Sequence, residues 1–316
     1  MQIALTVPNA GAGKWAWMGW LNAFNELGHN AFIINNSIAN RKDIDIVICS
    51  TSCPSEDIIK WRENNLDKKL ALNVLAWTNE DLPCINNPGV QATEGNVWYA
   101  KQLKPDIVFA QYFEKWREIL LSNWRDREGY KLGSMGMAAD STVYEKGNVN
   151  YEYQYDFTFV GGFWHYKSQI ITPWLLPVID KFRKKSILIG GGWPRTTDYD
   201  RTEKEIGKLY QNSKFSPNIH EPHSHYGYDI VERGMKVPYC GGLLLSDYVE
   251  EMISIGFIHE NNCLLAKTPK EYMDLACVIV EDPSKFDEIR RTGIEFISQN
   301  HTYIHRVQRL LKDLNE

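Results

Sequence analysis

Four groups of residues have types and spacing that suit chemistry on a ligand. The first is the segment Asn9 to Lys14, NAGAGK, between an apolar run and a Trp-rich one. It is not a nucleotide-triphosphate loop, because Pro8 occupies the place of the first glycine and Trp15 the place of the magnesium-binding hydroxyl. Nor is it a dinucleotide fingerprint, since Ala16 stands where the third glycine is needed. Gly11 and Gly13 fit either a plain tight turn or a loop closing on a ligand. The second group is Trp77 with Glu80 and Asp81, carboxylates just past an apolar run, which suit a general base or the N-cap and first turn of a helix.

The third group comprises three glycine clusters beside apolar runs. These are Gly161-Gly162, Gly190-Gly191-Gly192-Trp193 and Gly241-Gly242. Glycine at the carboxyl end of a strand lets backbone amides approach a phosphate, and Lys167 and Arg233 add cations, so a diphosphate site is expected there. The fourth group, His220-Glu221-Pro222-His223-Ser224-His225, has metal-ligand residue types. The interrupting proline and the lack of i, i+4 spacing favour a polar loop contacting sugar hydroxyls or phosphate, so no metal is expected. His220 joins Glu80 and Asp81 as a candidate catalytic group.

These residues need a scaffold that sets them at strand ends. Apolar runs at 3–7, 31–35, 44–50, 70–76 and 106–110 alternate with helical patterns at 15–27, 55–65 and 112–124. A second alternation has strands at 157–160, 186–189, 216–219 and 243–246, with helices at 168–182, 202–211 and 228–237. The last stretch, 283–314, is helical throughout. The reading is α/β with two Rossmann-like doubly wound domains facing across a cleft. The first spans 1–150, the second 151–295, and residues 296–316 form a helix that crosses back to the first domain. The tyrosine-rich stretch 144–155 is the expected linker.

A chain of 316 residues with 43% hydrophobic and 24% charged residues has the composition of a globular protein and suits two domains. The formal charge of −5 supplies no basic field for a polyanion. Six scattered cysteines without a CxxC pair read as buried thiols in a reducing compartment, and no apolar run is long enough to cross a membrane, so a cytoplasmic location is expected. The 11 Trp, 16 Tyr and 12 Phe are the unusual part of the composition. Of these, Trp15, Trp17, Trp77, Trp164 and Trp193 fall at expected strand ends, where a flat ring suits a sugar or a base.

The second half resembles the C-terminal domain of the CgeB-like group of glycosyltransferases, a branch of those with the two-Rossmann GT-B architecture. The resemblance is carried by the stretch from Met137 to Asp140 with Val143 and Tyr144, by Tyr155 to Gly162, and by Ile187 to Trp193. It continues with Leu209 to His220, Arg233 with Pro238 to Tyr248, and His301 to Tyr303 with Arg306. It covers about residues 137 to 310 in order; the first half matches only in outline.

The resemblance implies a hexosyl or pentosyl transferase that needs no cofactor and usually no metal, and that keeps the sugar configuration. A nucleotide-sugar donor, by default a UDP-sugar, would bind the second domain. An acceptor, whether a glycan, a small molecule or modified DNA, would bind the first domain. Gly161, Gly162, Lys167, Arg233, Gly241 and Gly242 would cradle the diphosphate, with Trp193 near the base. By residue type and place at expected strand ends and loops, apart from the resemblance, Gly11, Gly13, Gly191, Gly192, His223 and Asp247 are expected on the donor side. On the same ground Lys14, Trp15, Trp17 and Trp77 are expected on the acceptor side.

Residues 1–131 hold 14 Lys plus Arg against 15 Asp plus Glu, which gives no basic surplus for a DNA duplex. One departure from the family pattern stands out. Lys236 replaces a glutamate usually found four residues before the Cys-Gly of this turn, and a lysine cannot accept ribose hydroxyls. A donor held differently, with Glu232, Asp247, Glu250 or Glu251 substituting, a donor phosphate read by Lys236 itself, or a non-catalytic binding protein of the same fold would each account for it; altered donor recognition is the expectation, with Lys236 on the donor side.

Overall fold

The computed structural model describes residues 1–6, 12–74, 94–111, 113–148, 150–163, 165–193, 201–222 and 230–316. The side chains of residues 12–14, 94, 116, 120, 165 and 166 are not among those described. Two compact units are present: Met1–Thr142 with Tyr303–Glu316, and Val143–Thr302.

In the first unit the order is β1 (Gln2–Leu5), α1 (Ala12–Glu26), β2 (Asn30–Ile33), β3 (Ile46–Ser50), α2 (Glu56–Asn64), β4 (Lys69–Asn73) and α3 (Glu94–Leu103). It continues with β5 (Ile107–Ala110), α4 (Glu114–Leu120), α5 (Ser122–Asp126) and β6 (Leu132–Ser134). The parallel sheet runs β2-β1-β3-β4-β5-β6. Its strands are near-continuous apolar runs such as IVICS and IVFA because helices cover both faces. The helix α1 ends in a six-to-one cap, with the His29 amide donating to the Phe24 carbonyl at 3.1 Å and Gly28 at φ +80°.

In the second unit the order is β7 (Tyr155–Val160), α6 (His165–Trp174), α7 (Leu176–Phe182), β8 (Ser186–Ile189), α8 (Glu203–Gln211), β9 (Ser213–Asn218) and α9 (Arg233–Tyr239). Then come β10 (Leu244–Asp247), α10 (Glu250–Ser254), β11 (Leu264–Ala266), α11 (Pro269–Glu281) and α12 (Asp287–Asn300). The parallel sheet runs β11-β10-β9-β7-β8. Both units therefore place their first strand between the second and third, which sets a topological switch point beside it. In the second unit that point lies between β7 and β9.

The units part at Thr142, eight residues before the expected boundary of 150. The intervening segment packs onto the second unit: the Gly147 amide donates to the Tyr239 carbonyl at 2.8 Å, and Gly147 lies against the Gly241 backbone too closely for a side chain. The tyrosines of this stretch also have packing partners. The buried Arg290 guanidinium lies 4.7 Å from the Tyr151 ring and 5.1 Å from the Tyr153 ring, and donates to the carbonyls of Gly241 at 3.2 Å, Ser213 at 2.8 Å and Lys214.

The chain returns to the first unit through α13 (Tyr303–Asn315), not from residue 296, because α12 stops at Asn300. The docking of α13 is specific. The Tyr303 amide donates to Ala139, Arg306 donates to the carbonyls of Gly136 at 3.1 Å and Met137 at 3.2 Å, and the Tyr303 ring fills the space left by Gly19 on α1. Among the described residues, no helix is long and apolar enough to cross a membrane. Cys49, Cys240 and Cys263 are buried, whereas Cys53 and Cys277 are half-buried.

Candidate functional site

The carboxyl end of the second sheet gathers most of the polar residues singled out from the sequence. At the switch point, Gly161 follows β7 and its amide donates to the Ile189 carbonyl at 2.8 Å, extending the pairing with β8. The Phe163 amide donates to Gly191 at 2.8 Å. Gly192, at φ +83°, lies so close to the Phe163 carbonyl that no side chain fits. Trp193 is buried, packs 5.6 Å from Phe159 and 5.0 Å from Phe163, and donates its indole N–H to the Gly161 carbonyl at 2.7 Å. The cluster from Gly190 to Trp193 thus shapes the Gly161-Gly162 loop from behind. Trp193 is a brace for this loop; its ring is spent on core packing and is not an open stacking surface.

Arg233 closes the switch crevice from below. Its Nη1 donates to Val160 at the end of β7 at 2.7 Å, and its Nη2 to Ile219 just past β9 at 3.1 Å. The guanidinium also lies 4.4 Å from the Phe159 ring centre, while Nε has no partner among the described residues. A Cβ on Gly161 would meet Nη1 at 2.7 Å and push the guanidinium from this position, so glycine permits the approach.

Lys167, in the first turn of α6, is 6% exposed, with Nζ 3.7 Å from a carboxylate oxygen of Glu221. Burial pushes its ammonium down to about 8; Arg233 adds to the fall, and Glu221 opposes it. The crevice therefore holds two buried cations, Lys167 and Arg233, with the carboxylates of Glu221 and Asp247 as counter-charges. An anion that took the place of Glu221 beside Lys167 would meet a fixed cationic donor shielded from water.

Beside it, His220 and Asp247 form a fully buried pair, with Nδ1 2.7 Å from Oδ1. The His220 amide donates to both Asp247 carboxylate oxygens at 3.2 Å, and Ser246 Oγ donates to Oδ1 at 3.2 Å. Asn218 Nδ2 donates to Ser246 Oγ at 2.9 Å. With no exposed edge, His220 is placed to orient Asp247 and the β9 and β10 termini rather than to meet substrate directly.

The Gly241-Gly242 turn is arranged otherwise than for a phosphate. Both residues are buried, the Gly241 amide donates to Pro238 and the Gly242 amide to Val237, each at 2.9 Å. Neither amide is left for a phosphate.

Lys236 is likewise engaged within the protein. Its Nζ lies 3.1 Å from Glu232 and 3.2 Å from the Tyr144 hydroxyl, which in turn donates to Glu203. Burial opposes its charge, but Glu232, Tyr210 and Glu203 outweigh burial and raise its pKa. Lys236 thus ties α9 to α8 and Tyr144.

In the first unit, Trp15 is 54% exposed, whereas Trp17 is fully buried against Trp20 at 4.8 Å and is no open wall for an acceptor. Gly13 and Lys14 lie in the first turn of α1. Gly11, Trp77, Glu80, Asp81, Trp164 and His223 lie outside the described residues.

Glu221, named in the sequence only as part of the histidine-rich segment, partners Lys167. Asn218 and Ser246, which support the His220–Asp247 pair, were not singled out from the sequence. Their signal was a polar residue closing an apolar strand, as in SPN and LLSD.

Two parallel sheets flanked by helices, each with its switch point beside the first strand, are the fold of GT-B glycosyltransferases. The chain belongs to the glycosyl transferase-like family, whose model matches residues 151–312. It is a glycosyltransferase.

Solved structures support the fold over the whole chain. T4 phage BGT, solved with its UDP-glucose substrate, aligns at a TM-score of 0.61 and 11% identity, covering 100% of both chains. HepE from Anabaena, solved with UDP, aligns at 0.56 and 11% over 99% of each chain. A glycosyltransferase from Rickettsia africae aligns at 0.62 and 10%, covering 99% of this chain and 97% of that one. No curated protein sequence matches.

Proposed function

We propose that the protein transfers a hexose or pentose from a UDP-sugar to an acceptor, with the donor diphosphate held at the carboxyl end of the second sheet. The observation that carries this reading is the pair of buried cations at the β7–β9 switch point, Lys167 and Arg233, beside the Gly161-Gly162 loop. In such a reaction the glycosidic bond to the diphosphate breaks and the departing oxygen gains charge. An ammonium fixed beside it stabilises that charge without reorganising. Two similar structures were solved with UDP-glucose or UDP bound, which supports uridine as the base.

Retention of configuration, independence of metal and membership of the CgeB-like branch complete the proposal, resting on the resemblance of residues 137 to 310. The first unit takes the acceptor. Neutral charge balance over residues 1–131 supports an acceptor other than long duplex DNA. The altered position 236 is accommodated within the fold, because Lys236 is paired to Glu232 and Tyr144, so its replacement of a carboxylate does not disorder the site.

A panel of UDP-sugars, assayed for slow hydrolysis and for thermal stabilisation, tests the proposal. At least one donor should release UDP and raise the melting temperature. Neither effect with any UDP-sugar or with UDP would contradict it.

A further inference from the structure

The two carboxylates that face Lys167 and Arg233 are held in different ways. Asp247 is fully buried and anchored: the His220 amide and Ser246 Oγ donate to it, and His220 Nδ1 lies 2.7 Å from Oδ1. Glu221 keeps 23% of its side chain exposed. Its carboxylate stands 3.7 Å from Lys167 Nζ, beyond the roughly 2.7–2.9 Å of a charge-assisted hydrogen bond. Of the two counter-charges, Glu221 is the one that reaches water and is loosely paired.

The backbone leading to Glu221 is pinned. Arg233 Nη2 donates to the Ile219 carbonyl at 3.1 Å, and the His220 amide donates to Asp247 at 3.2 Å. Pro222 follows, which confines Glu221 to extended backbone. A change at Glu221 is therefore a rotation of its side chain towards water, with the chain before it in place.

Lys167 has the opposite constraint. It is almost wholly buried, and a buried ammonium with no anion beside it is costly, so its charged form needs an anion facing it whether or not a ligand is bound. The space for a second anion beside Nζ is the space that the Glu221 carboxylate fills, and it opens when that side chain turns out.

We propose that Glu221 is an exchangeable counter-ion for Lys167. It holds the ammonium while the site is free, turns to water as the donor diphosphate takes its place, and returns as UDP leaves. This rests on the transferase reading and makes Glu221 a positioning residue that acts through Lys167. Once the glycosidic bond has broken, the terminal phosphate of UDP gains negative charge, so a cationic site holds the product more tightly than the donor. A carboxylate competing for the same ammonium weakens that hold and favours release.

Calorimetric titration at about pH 6.5, below the value of about 8 for Lys167, tests the exchange while the ammonium is charged. The probes are UDP and, as the ligand without phosphate, uridine. Glu221→Gln removes the competitor and should tighten UDP binding about three- to tenfold, leaving uridine unchanged. With Lys167→Met in place, the same substitution should change UDP affinity less than about twofold, because the shared partner is gone. Glu221→Ala, measured in parallel, should give the same gain and serves if the glutamine variant fails to fold.

Unchanged or weaker UDP binding in the folded Glu221 variant, an equal gain for uridine, or an equal gain with Lys167→Met in place would overturn the assignment. If the wild-type protein binds UDP and the Glu221 variants only match it, the exchange fails and the transferase reading stands. If neither the wild-type protein nor a Glu221 variant binds UDP, both fail.

Discussion

Replacing Lys167 by methionine should stabilise the free protein while weakening its hold on UDP. The ammonium is held at about 8 against an ordinary 10.5, chiefly because burial disfavours the charged form. A fall of that size corresponds to about 3 kcal/mol of folding free energy lost to keeping the charge inside. Only 7% of the side chain is exposed, so solvent screening removes little of it. Methionine keeps the stem's volume without the charge.

The sign follows from proton binding. Below about pH 8, Lys167 is charged in both the folded and unfolded states, and the folded state bears the whole penalty. As pH rises from about 8 towards 10.5, the folded state gives up its proton first, and the penalty fades. Urea denaturation at pH 7 should therefore show Lys167→Met more stable by about 2–3 kcal/mol, after allowing for the lost attraction to Glu221, with the advantage shrinking by pH 10. Calorimetry should show UDP affinity reduced about 10- to 100-fold, the worth of a hydrogen bond to a charged group. A variant less stable at pH 7 that binds UDP normally would refute the reasoning and make Lys167 a structural partner of Glu221.

Three further outcomes follow from the packing. Lys236→Glu should destabilise the protein by about 3–5 kcal/mol in chemical denaturation, because it removes the partner of Glu232 and sets a third carboxylate beside Glu232 and Glu203. Gly19→Ala should cost about 1–3 kcal/mol and lower the melting temperature, since the added methyl falls within the Tyr303 ring and forces α13 off α1. Trp193→Phe should cost about 1 kcal/mol in denaturation and loosen the Gly161-Gly162 loop by removing the indole bond to Gly161, with a matching loss in UDP affinity by calorimetry.

The sheet-and-helix alternation was legible because parallel strands covered on both faces read as unbroken apolar runs, as in IVICS and YDFTFV. Elements without that signature escaped. The edge strand β6 is only three residues long and contains glycine. The helix α11 carried a readable start, Thr268-Pro269 with Glu271 three residues after the cap, that periodicity alone did not bring out. The expected helix over 168–182 is two, α6 and α7, broken at Leu175 before Pro177, which sits in the first turn of α7.

Within the site, residue types near strand ends pointed correctly to the carboxyl edge of the second sheet, but their roles depended on contacts far apart in sequence. Lys236 meets Tyr144 from 92 residues away, and Trp193 meets Gly161 from 32. Glycine at a turn looks the same in sequence whether its amide is free, or spent on a carbonyl as in Gly241 and Gly242. Tyrosine enrichment before β7 resembled a linker because the Arg290 guanidinium it encloses lies beyond residue 280.

The central claim is that a donor diphosphate sits at the β7–β9 switch point. A crystal structure with UDP tests it most directly. The account predicts diphosphate oxygens within hydrogen-bonding distance of Lys167 Nζ, next to the Gly161-Gly162 loop. A diphosphate bound elsewhere on the second unit, with Lys167 still facing only Glu221, would contradict it.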